Sequence, residues 1–399
     1  MKLTIHRGTK QIGGNIVEIA TDTTKIILDC GKNLPPLDGK SANDVIEIDG
    51  LTRGKSAYDA VFITHYHADH CGLIERINAD IPIYAGKETK DVLRIVSDFI
   101  DSQLPHIDRI LRHGELVCVG DISVLPLHME HSAQGAMLFL IKAESKKQLY
   151  TGDFRRIDET YYPLIGNVDV MLCEGTNIGA SGDLTEDDIQ TEAAKIMRRT
   201  SGKVFVLCST TNIDRISSIE CACHDSGRRI AIDPFAWAVM DSTSGIPAID
   251  PVGFVSYFMK KEENPRAYRY LQSQFQKFSS IEKVAKMSNL TFLVRQSMEF
   301  FMKTLNKYVP LKGGVLIYSM WKGYENTPKT KEFLDLCRTL GLEIVYLHTS
   351  GHAYRETLET AILRLNPKTL VPIHTENGLA FERLHENVRV LNDGEDMEV

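Results

Sequence analysis

Three histidines and one aspartate lie within six residues, directly after an apolar run: His65, His67, Asp69 and His70. Imidazole and carboxylate groups are ligands that zinc prefers in proteins. At the end of a strand the backbone can loop, so that side chains two residues apart converge, whereas a continuing strand would place His70 on the opposite face. The chain has only 13 histidines in 399 residues, so a chance cluster is improbable. The spacing therefore predicts a metal centre, and His70 could turn toward a second ion.

Further ligand candidates stand singly at the ends of other apolar runs. His131 follows one run, Asp153 a second and His374 a third. A lone histidine at such a place is more often a satisfied polar side chain, and His128 competes with His131 for the role. A carboxylate such as Asp153 could bridge two ions about 3.5–4 Å apart, and such a pair lowers the pKa of bound water to about 7. The chemistry that this predicts is in-line displacement at phosphorus.

A second polar segment, residues 348–352, could supply acid–base chemistry and an anion site. His352 could protonate a leaving alkoxide as a general acid. It would need a carboxylate to orient it, and Glu174 at another strand end is the candidate. A helix beginning near Arg355 could direct its N-terminus at an anion. The alternative is a helix-entry loop in which His348 and His352 have capping roles.

The secondary-structure elements that must position these residues fall into regions with different sequence patterns. The first 175 residues consist mainly of short β-rich runs, whereas strands and helices alternate beyond residue 180, which predicts a parallel sheet covered by helices. Boundaries near 178 and 347 would make the middle region an insertion. The predicted strands are 2–7, 15–20, 25–30, 59–64, 116–127, 136–142, 148–151, 168–173, 203–208, 229–232, 291–294, 314–318, 342–347, 369–373 and 388–391. The predicted helices are 87–104, 185–199, 213–224, 297–305, 329–340, 356–365 and 377–386.

Composition excludes several classes of protein. The chain is 43% hydrophobic and 25% charged, which is typical of a globular protein. No segment approaches the ~20 apolar residues of a membrane span and no signal peptide is recognisable, so we expect a cytoplasmic protein without membrane contact. A net charge of −7 argues against a general nucleic-acid coat, because phosphate binding needs local positive charge. The eight cysteines lie mostly in apolar runs and are expected to be core thiols, although residues 221–224, Cys-Ala-Cys-His, form an alternative metal candidate.

These residues resemble the metallo-β-lactamase superfamily and, within it, the β-CASP nucleases, over nearly the whole chain. The family has histidine at its third β-CASP motif in RNA-processing members and usually valine in DNA-repair members, so the resemblance favours RNA. The matching positions are Asp29 for the first motif, His65, His67, Asp69 and His70 for the HxHxDH motif, His131 and Asp153 for the single ligands, Glu174 for the acidic motif, His352 for the SGH motif and His374 for the third motif.

Within the β-CASP group, the chain is most similar to the bacterial ribonuclease J family, through residues 209–215 and 11–15. The resemblance implies two divalent metal ions, zinc with manganese as the alternative. It further implies this assignment: one ion held by His65, His67 and His131, the other by Asp69, His70 and His374, Asp153 as the bridge, His348 and Ser350 as the phosphate grip, and Asp29 as the group that orients the cluster from behind.

The sequence departs from that family at two places. His374-Thr375-Glu376 stands where the family has His-Gly-Glu, which leaves the ligand in place but makes a 5′-exonuclease assignment unsafe. The family also carries a C-terminal domain that helps it to assemble. We expect this chain, which stops at Val399, to lack that domain, so that a homodimer would need other contacts.

The expected fold is α/β: an αββα metallo-β-lactamase sandwich built from residues 1–178 and 347–399, interrupted by a parallel α/β β-CASP domain over 179–346. The expected function is hydrolysis of RNA by hydroxide held between two metals. The candidate catalytic residues are Asp69, Glu174 and His352, with His352 as the general acid. Three alternatives stay open: a small-molecule ester or lactone hydrolase, a DNA nuclease, and a protein that binds RNA without cleaving it. Endonuclease or exonuclease action is also left open.

Overall fold

The computed structural model describes residues 1–34, 36, 46–104, 106–182, 184–243, 251–256 and 261–399. The strands are β1 (Lys2–Arg7), β2 (Ile16–Ala20), β3 (Lys25–Leu28), β4 (Ala60–Ile63), β5 (Ile83–Gly86), β6 (Arg109–Leu111), β7 (Val117–Val119), β8 (Ile122–His128), β9 (Met137–Ala143), β10 (Lys146–Tyr150), β11 (Val170–Glu174), β12 (Val204–Leu207), β13 (Arg229–Ile232), β14 (Val252–Phe254), β15 (Phe278–Ser279), β16 (Leu290–Val294), β17 (Val315–Tyr318), β18 (Glu343–Tyr346), β19 (Thr369–Ile373) and β20 (Glu395–Glu398). The α-helices are α1 (Ala68–Cys71), α2 (Lys87–Ile100), α3 (Tyr161–Ile165), α4 (Glu186–Arg199), α5 (Ile213–Asp225), α6 (Pro234–Ser242), α7 (Pro265–Ser273), α8 (Ile281–Ala285), α9 (Glu299–Tyr308), α10 (Pro328–Thr339) and α11 (Arg355–Leu365). In these ranges no helix is long and apolar enough to span a membrane.

Two mixed sheets pack face to face. The first sheet has the strand order β20-β1-β2-β3-β4-β5-β6, and the second has the order β19-β11-β10-β9-β8-β7. Their facing sides share one apolar core, in which Phe62 of the first sheet meets Phe139 of the second edge-on, with ring centroids 6.0 Å apart. Each such buried side chain stabilises the fold by about 1.5–3 kcal/mol. The core thus fixes the two sheets, and therefore the loops at their edges, relative to each other.

Helices cover the outer faces of this pair of sheets. On the second sheet, α3 and α11 bury Tyr162, Leu358 and Ile362 against strand residues such as Leu140. On the first sheet, the segment from α1 onward buries Cys71 together with neighbouring apolar residues of 73–81. The layers are therefore helix, sheet, sheet, helix, which confirms the predicted α/β sandwich.

The third sheet is entirely parallel, in the order β15-β14-β13-β16-β12-β17-β18. One face packs on α8, α9 and α10, and the other packs on α4 and α5. The alternation of strands and helices beyond residue 180 predicted this arrangement. The chain leaves the second sheet after β11 and returns to it with β19, while the boundaries near 178 and 347 stay a prediction.

Three secondary-structure predictions were wrong. The strand predicted over 116–127 is a hairpin of β7 and β8, because Gly120 turns the chain with a φ of +53°. The helix predicted over 377–386 is a 3₁₀ segment, Gly378–Arg383. In place of a strand over 388–391 there is a single bridge between Leu370 and Val388, and the last strand is β20. The acidic β20 pairs with β1 and has no apolar alternation that a sequence pattern could show.

Candidate metal centre

The candidate ligands meet at one edge of the paired sheets. Asp153 follows β10, Glu174 ends β11 and His374 follows β19, and these three strands are parallel neighbours in the second sheet. His65 follows β4 in the facing sheet. The carboxyl ends of parallel strands open at the same edge, which is the usual place for a ligand site in such folds. The topology therefore brings residues from both ends of the chain to one point.

Asp153 is common to three groups of side chains whose ligand atoms all lie within 4.8 Å of one another in each group. All seven predicted metal ligands are members of the first two groups, so the structure brings the whole set together. The predicted pair of Glu174 and His352 belongs to the third. The groups are His65, His67, His131 and Asp153; Asp69, His70, Asp153 and His374; and Asp153, Glu174, His352 and His374.

Several buried polar atoms in this cluster have no hydrogen-bond partner. They are Nε2 of His65, Nε2 of His70 and both carboxylate oxygens of Asp153, although one Asp153 oxygen lies 3.0 Å from His70 Nε2. Burying an ionised carboxylate without compensation costs several kcal/mol. Imidazole nitrogens and carboxylate oxygens converging in this way are the donor set that a divalent cation requires. The residues present therefore fit a divalent metal.

Burial also sets the protonation of the histidines. Burial, followed by the neighbouring His70 and His67, holds the pKa of His65 well below its ordinary value. Burial likewise lowers the pKa of His67 to about 4. A neutral imidazole is the form that binds a metal. These two side chains are therefore ready to act as ligands at neutral pH.

Asp29 lies behind the cluster and fixes the orientation of His70. It is fully buried and accepts hydrogen bonds from His70 Nδ1 at 2.7 Å, the Tyr150 hydroxyl at 2.8 Å and the Thr64 backbone N–H at 2.8 Å. The bond to Nδ1 leaves His70 Nε2 free to face the cluster, the usual way in which a ligand histidine is oriented. Asp29 has a φ of +59°, an uncommon conformation for a residue other than glycine. Our sequence analysis did not identify Tyr150 or Thr64.

Two more histidines are oriented through Nδ1. His131 Nδ1 lies 2.7 Å from the Gly351 carbonyl oxygen, and His374 Nδ1 lies 2.9 Å from the Thr176 hydroxyl. His374 also has a positive φ, +51°. Its Nε2 atom lies 3.2 Å from Asp69 Oδ2. Both rings therefore present Nε2 to the cluster, and Thr176 is a further positioning residue that the sequence analysis missed.

The predicted acid and its orienting carboxylate are in contact. His352 Nδ1 lies 3.1 Å from both oxygens of the buried Glu174, while the His352 side chain is 20% exposed. Burial opposes protonation of His352, but the carboxylates of Glu174 and Asp153 outweigh it and raise its pKa to about 9. The His352 ring, with its pKa raised to about 9, is therefore protonated at neutral pH.

Two arginines hold the backbone of the 348–352 loop. The fully buried Arg215 donates to the Thr349 carbonyl oxygen at 3.0 Å, and Arg155 donates to the Ser350 carbonyl oxygen at 3.0 Å. Both guanidinium groups also contact Glu186, at 3.0 and 3.3 Å. This buried network fixes the loop that carries His352, and our sequence analysis did not predict it.

The predicted phosphate-binding pair faces an open cleft. His348 and Ser350 line a cleft of about 560 Å³ together with His67 and His352. The Ser350 hydroxyl accepts a hydrogen bond from Asn177 Nδ2 at 3.0 Å. Burial and the adjacent Arg215 lower the pKa of His348 to about 4, so this imidazole is neutral. His348 would therefore contact an anion as a neutral N–H donor.

Two weaker metal candidates belong to none of the clusters in the described part of the chain. The ring of His128 packs against His113, with centroids 5.1 Å apart, so His131 and not His128 joins the ligands. Cys221 and Cys223 are free thiols on α5, and the neighbouring His224 side chain is 78% exposed. Cys223 is buried in the core and Cys221 is half-buried.

Comparisons with known proteins agree with this geometry. Residues 24–208 match a family model described as a beta-lactamase superfamily domain. The chain is 24% identical over 387 residues to ribonuclease J of Sinorhizobium meliloti, a match that covers 88% of this chain and 64% of that protein. It is 25% identical over 402 residues to ribonuclease J of Mycoplasma genitalium, covering 94% and 68% of the two proteins. The chain therefore spans less than two thirds of the first of these relatives.

A solved structure has the same fold over nearly the whole chain. It is a crystal structure of a protein of unknown function from Enterococcus faecalis V583, with a TM-score of 0.80, 22% sequence identity and coverage of 99% of both chains. The match to the solved structure shows a similar fold, whereas the family model and the ribonuclease J relatives show similarity of sequence. Residues 24–208 therefore resemble a beta-lactamase superfamily domain, and most of the chain is similar to ribonuclease J proteins.

Proposed function

We propose that this protein is a metal-dependent hydrolase that cleaves RNA phosphodiesters in the cleft beside Asp153. One observation carries the proposal: Asp153 is shared by both candidate ligand groups and by the Glu174–His352 pair. The proposed metal ligands and the proposed proton donor thus lie around one carboxylate, beside a cleft that His348 and Ser350 line. The superfamily fold implies divalent metal ions, and the ribonuclease J relatives support RNA as the substrate.

In this proposal the two ligand groups hold one divalent ion each, with Asp153 shared between them. Zinc is the ion that we propose, because histidine and aspartate are among its ordinary ligands, and manganese fits the same donors. When bound, the ions supply a water with a pKa near 7 and positive charge beside the phosphate. The first group is His65, His67 and His131, and the second is Asp69, His70 and His374.

The protein contributes a pre-formed anion site. Ser350 Oγ and the neutral His348 face the cleft, and Arg215 and Arg155 hold the backbone that carries them. Donors that are fixed before the reaction stabilise developing charge without reorganisation. We therefore assign His348 and Ser350 to the scissile phosphate.

His352 then handles the proton of the leaving group. Its Nδ1–H donates to Glu174, so the proton to be transferred is held on Nε2. Bound cations beside Asp153 would bring the raised pKa of His352 down toward the working pH. A positioned general acid contributes typically 10²–10⁴-fold. Glu174 is a positioning residue, because it acts through His352.

The proposal is tested with metal-free protein reconstituted with zinc or manganese. RNA labelled at the 5′ or the 3′ end, DNA of the same sequence, and a panel of esters and lactones are offered in parallel. We expect metal-dependent cleavage of RNA, with fragment lengths that show whether the protein cuts internally or from an end. Hydrolysis of esters or lactones without cleavage of RNA would overturn the proposal, and so would tight RNA binding without cleavage.

Asp29→Asn should weaken metal binding without removing a ligand. The amide cannot hold His70 Nδ1–H as a carboxylate does, and loss of such a partner typically costs 10–100-fold in metal affinity. We expect a decrease of about that size in competition with a chromogenic chelator. The exposed Asp22→Asn is the matched control. An unchanged affinity in Asp29→Asn would show that Asp29 does not orient the ligand.

A further inference from the structure

The cleft that His348 and Ser350 line also carries an exposed indole. Trp321 lies between β17 and α10, and its side chain is 53% exposed. It lines the same cleft as His67, Ser350 and His352. Neither the metal binding nor the proton transfer proposed above uses Trp321.

The indole is held in a fixed orientation. A Cβ atom on Gly323 would lie 2.2 Å from two atoms of the Trp321 ring, so the ring packs directly on the backbone of that glycine. Tyr324 meets the ring edge-on, with centroids 5.2 Å apart and an interplanar angle of 87°. The Trp321 carbonyl oxygen accepts hydrogen bonds from the Tyr318 hydroxyl at 3.1 Å and the Tyr324 N–H at 3.0 Å. The ring is therefore a rigid flat surface.

The surroundings of the indole suit a nucleotide. Ile12 and Leu34 contribute apolar side chains to the cleft that Trp321 lines. The neighbouring Lys322 places its ammonium group over the Tyr346 ring, 5.7 Å from the ring centroid. Tyr324, which packs on Trp321, lines the cleft together with His67. A flat aromatic side chain in the same cleft as His348 and Ser350 matches a base attached to a phosphate.

We propose that the indole of Trp321 stacks on a nucleobase of the RNA close to the scissile phosphate. This inference rests on the proposed function and names the part of the substrate that the cleft recognises besides phosphate. Stacking of a base on an aromatic side chain is tolerant of sequence, because every base has a π-face. The site would therefore favour a single-stranded polynucleotide of mixed sequence over a bare sugar-phosphate chain.

Binding is measured without cleavage, in metal-free protein. The chain has two tryptophans, so Trp237→Phe leaves Trp321 as the only indole, and Trp237 packs on Phe278 outside the residues that line the cleft. This variant is titrated with an RNA octamer and with an abasic phosphodiester of the same length. We expect the octamer to quench the fluorescence of Trp321, and the abasic chain to leave it unquenched and to bind roughly 5–150-fold more weakly.

Steady-state kinetics with metal-loaded protein give a second readout. Trp321→Ala should raise KM for RNA roughly 5–150-fold, and Trp321→Phe should retain part of the affinity. Turnover of bis(p-nitrophenyl) phosphate, which carries no base, should be unchanged in both variants. Circular dichroism verifies that each variant is folded.

Two outcomes would overturn the inference: equal affinity for the octamer and the abasic chain, or RNA kinetics in Trp321→Ala equal to those of wild type. Either result leaves the proposed function standing if wild-type protein still cleaves RNA. Conversely, quenching by the octamer in a protein that never cleaves RNA would retain the stacking site and reject the proposed nuclease. The failure of one proposal is therefore distinguishable from the failure of the other.

Discussion

Asp153→Ala should reduce RNA cleavage by about 10³-fold or more while the protein stays folded. Asp153 is the carboxylate common to all three side-chain groups at the cleft, and among the described residues its oxygens have no hydrogen-bond partner beyond the 3.0 Å approach of one oxygen to His70 Nε2. Without it, the two ligand groups lose the negative charge that they share, and Asp69 is the only carboxylate left among the proposed ligands to help hold two cations close together. His67→Ala, which removes one ligand of the first group, should have a similar effect on cleavage.

Metal content and thermal unfolding identify the cause of that loss. Metal analysis should show fewer bound ions per chain in Asp153→Ala than in wild type. Because a ligand that binds only the native state raises its stability, metal should raise the Tm of wild type and raise that of the variant much less. The exposed Asp80→Asn serves as the control and should retain activity and metal. An Asp153→Ala protein with full activity would rule out the proposed centre.

His352→Ala should slow RNA cleavage by about 10²–10⁴-fold, the usual contribution of a general acid. The loss should depend on the leaving group. A p-nitrophenyl phosphodiester expels a phenolate that is stable at neutral pH, so it needs no proton from His352. We therefore expect that substrate to be affected less than about tenfold, a contrast that kcat measured on both substrates will show.

Two further variants separate proton transfer from positioning. Glu174→Gln should fall between wild type and His352→Ala on RNA, since it leaves the imidazole present but less well held. His128→Ala removes a histidine that packs on His113 outside the cluster and should behave as wild type. Equal losses on RNA and on the p-nitrophenyl substrate in His352→Ala would assign His352 a structural role instead of an acid role.

The sequence made much of the site predictable because each candidate ligand follows a recognisable strand. Residues 65–70 follow β4 directly, and Asp153 and His374 follow the apolar strands β10 and β19. Strand-end position alone could not choose between His128 and His131. That choice depended on the resemblance to a known family, and the structure agrees with it by placing His131 among the ligands.

The groups that orient the ligands could not be predicted from the sequence, for a physical reason. Tyr150 donates to Asp29 across 121 residues, and Thr176 contacts His374 across 198. Such contacts follow from strand pairing and register, which local patterns do not specify. The role of Arg215 could not be predicted either, because the contacts of a buried arginine on a helix are known only when its partners in distant loops are known. The strand β20 escaped detection because its residues are mainly acidic and exposed.

The large sequence separation between the candidate ligands governs when the site can form during synthesis. Asp69 and His374 lie 305 residues apart, and the entire parallel sheet is translated between them. Contacts over such separations form slowly, because a long loop must close first. A growing chain consequently lacks His374 until the whole parallel sheet has been translated. We expect chains arrested before residue 374 to show no metal-dependent attack on RNA, including the message from which they are being read.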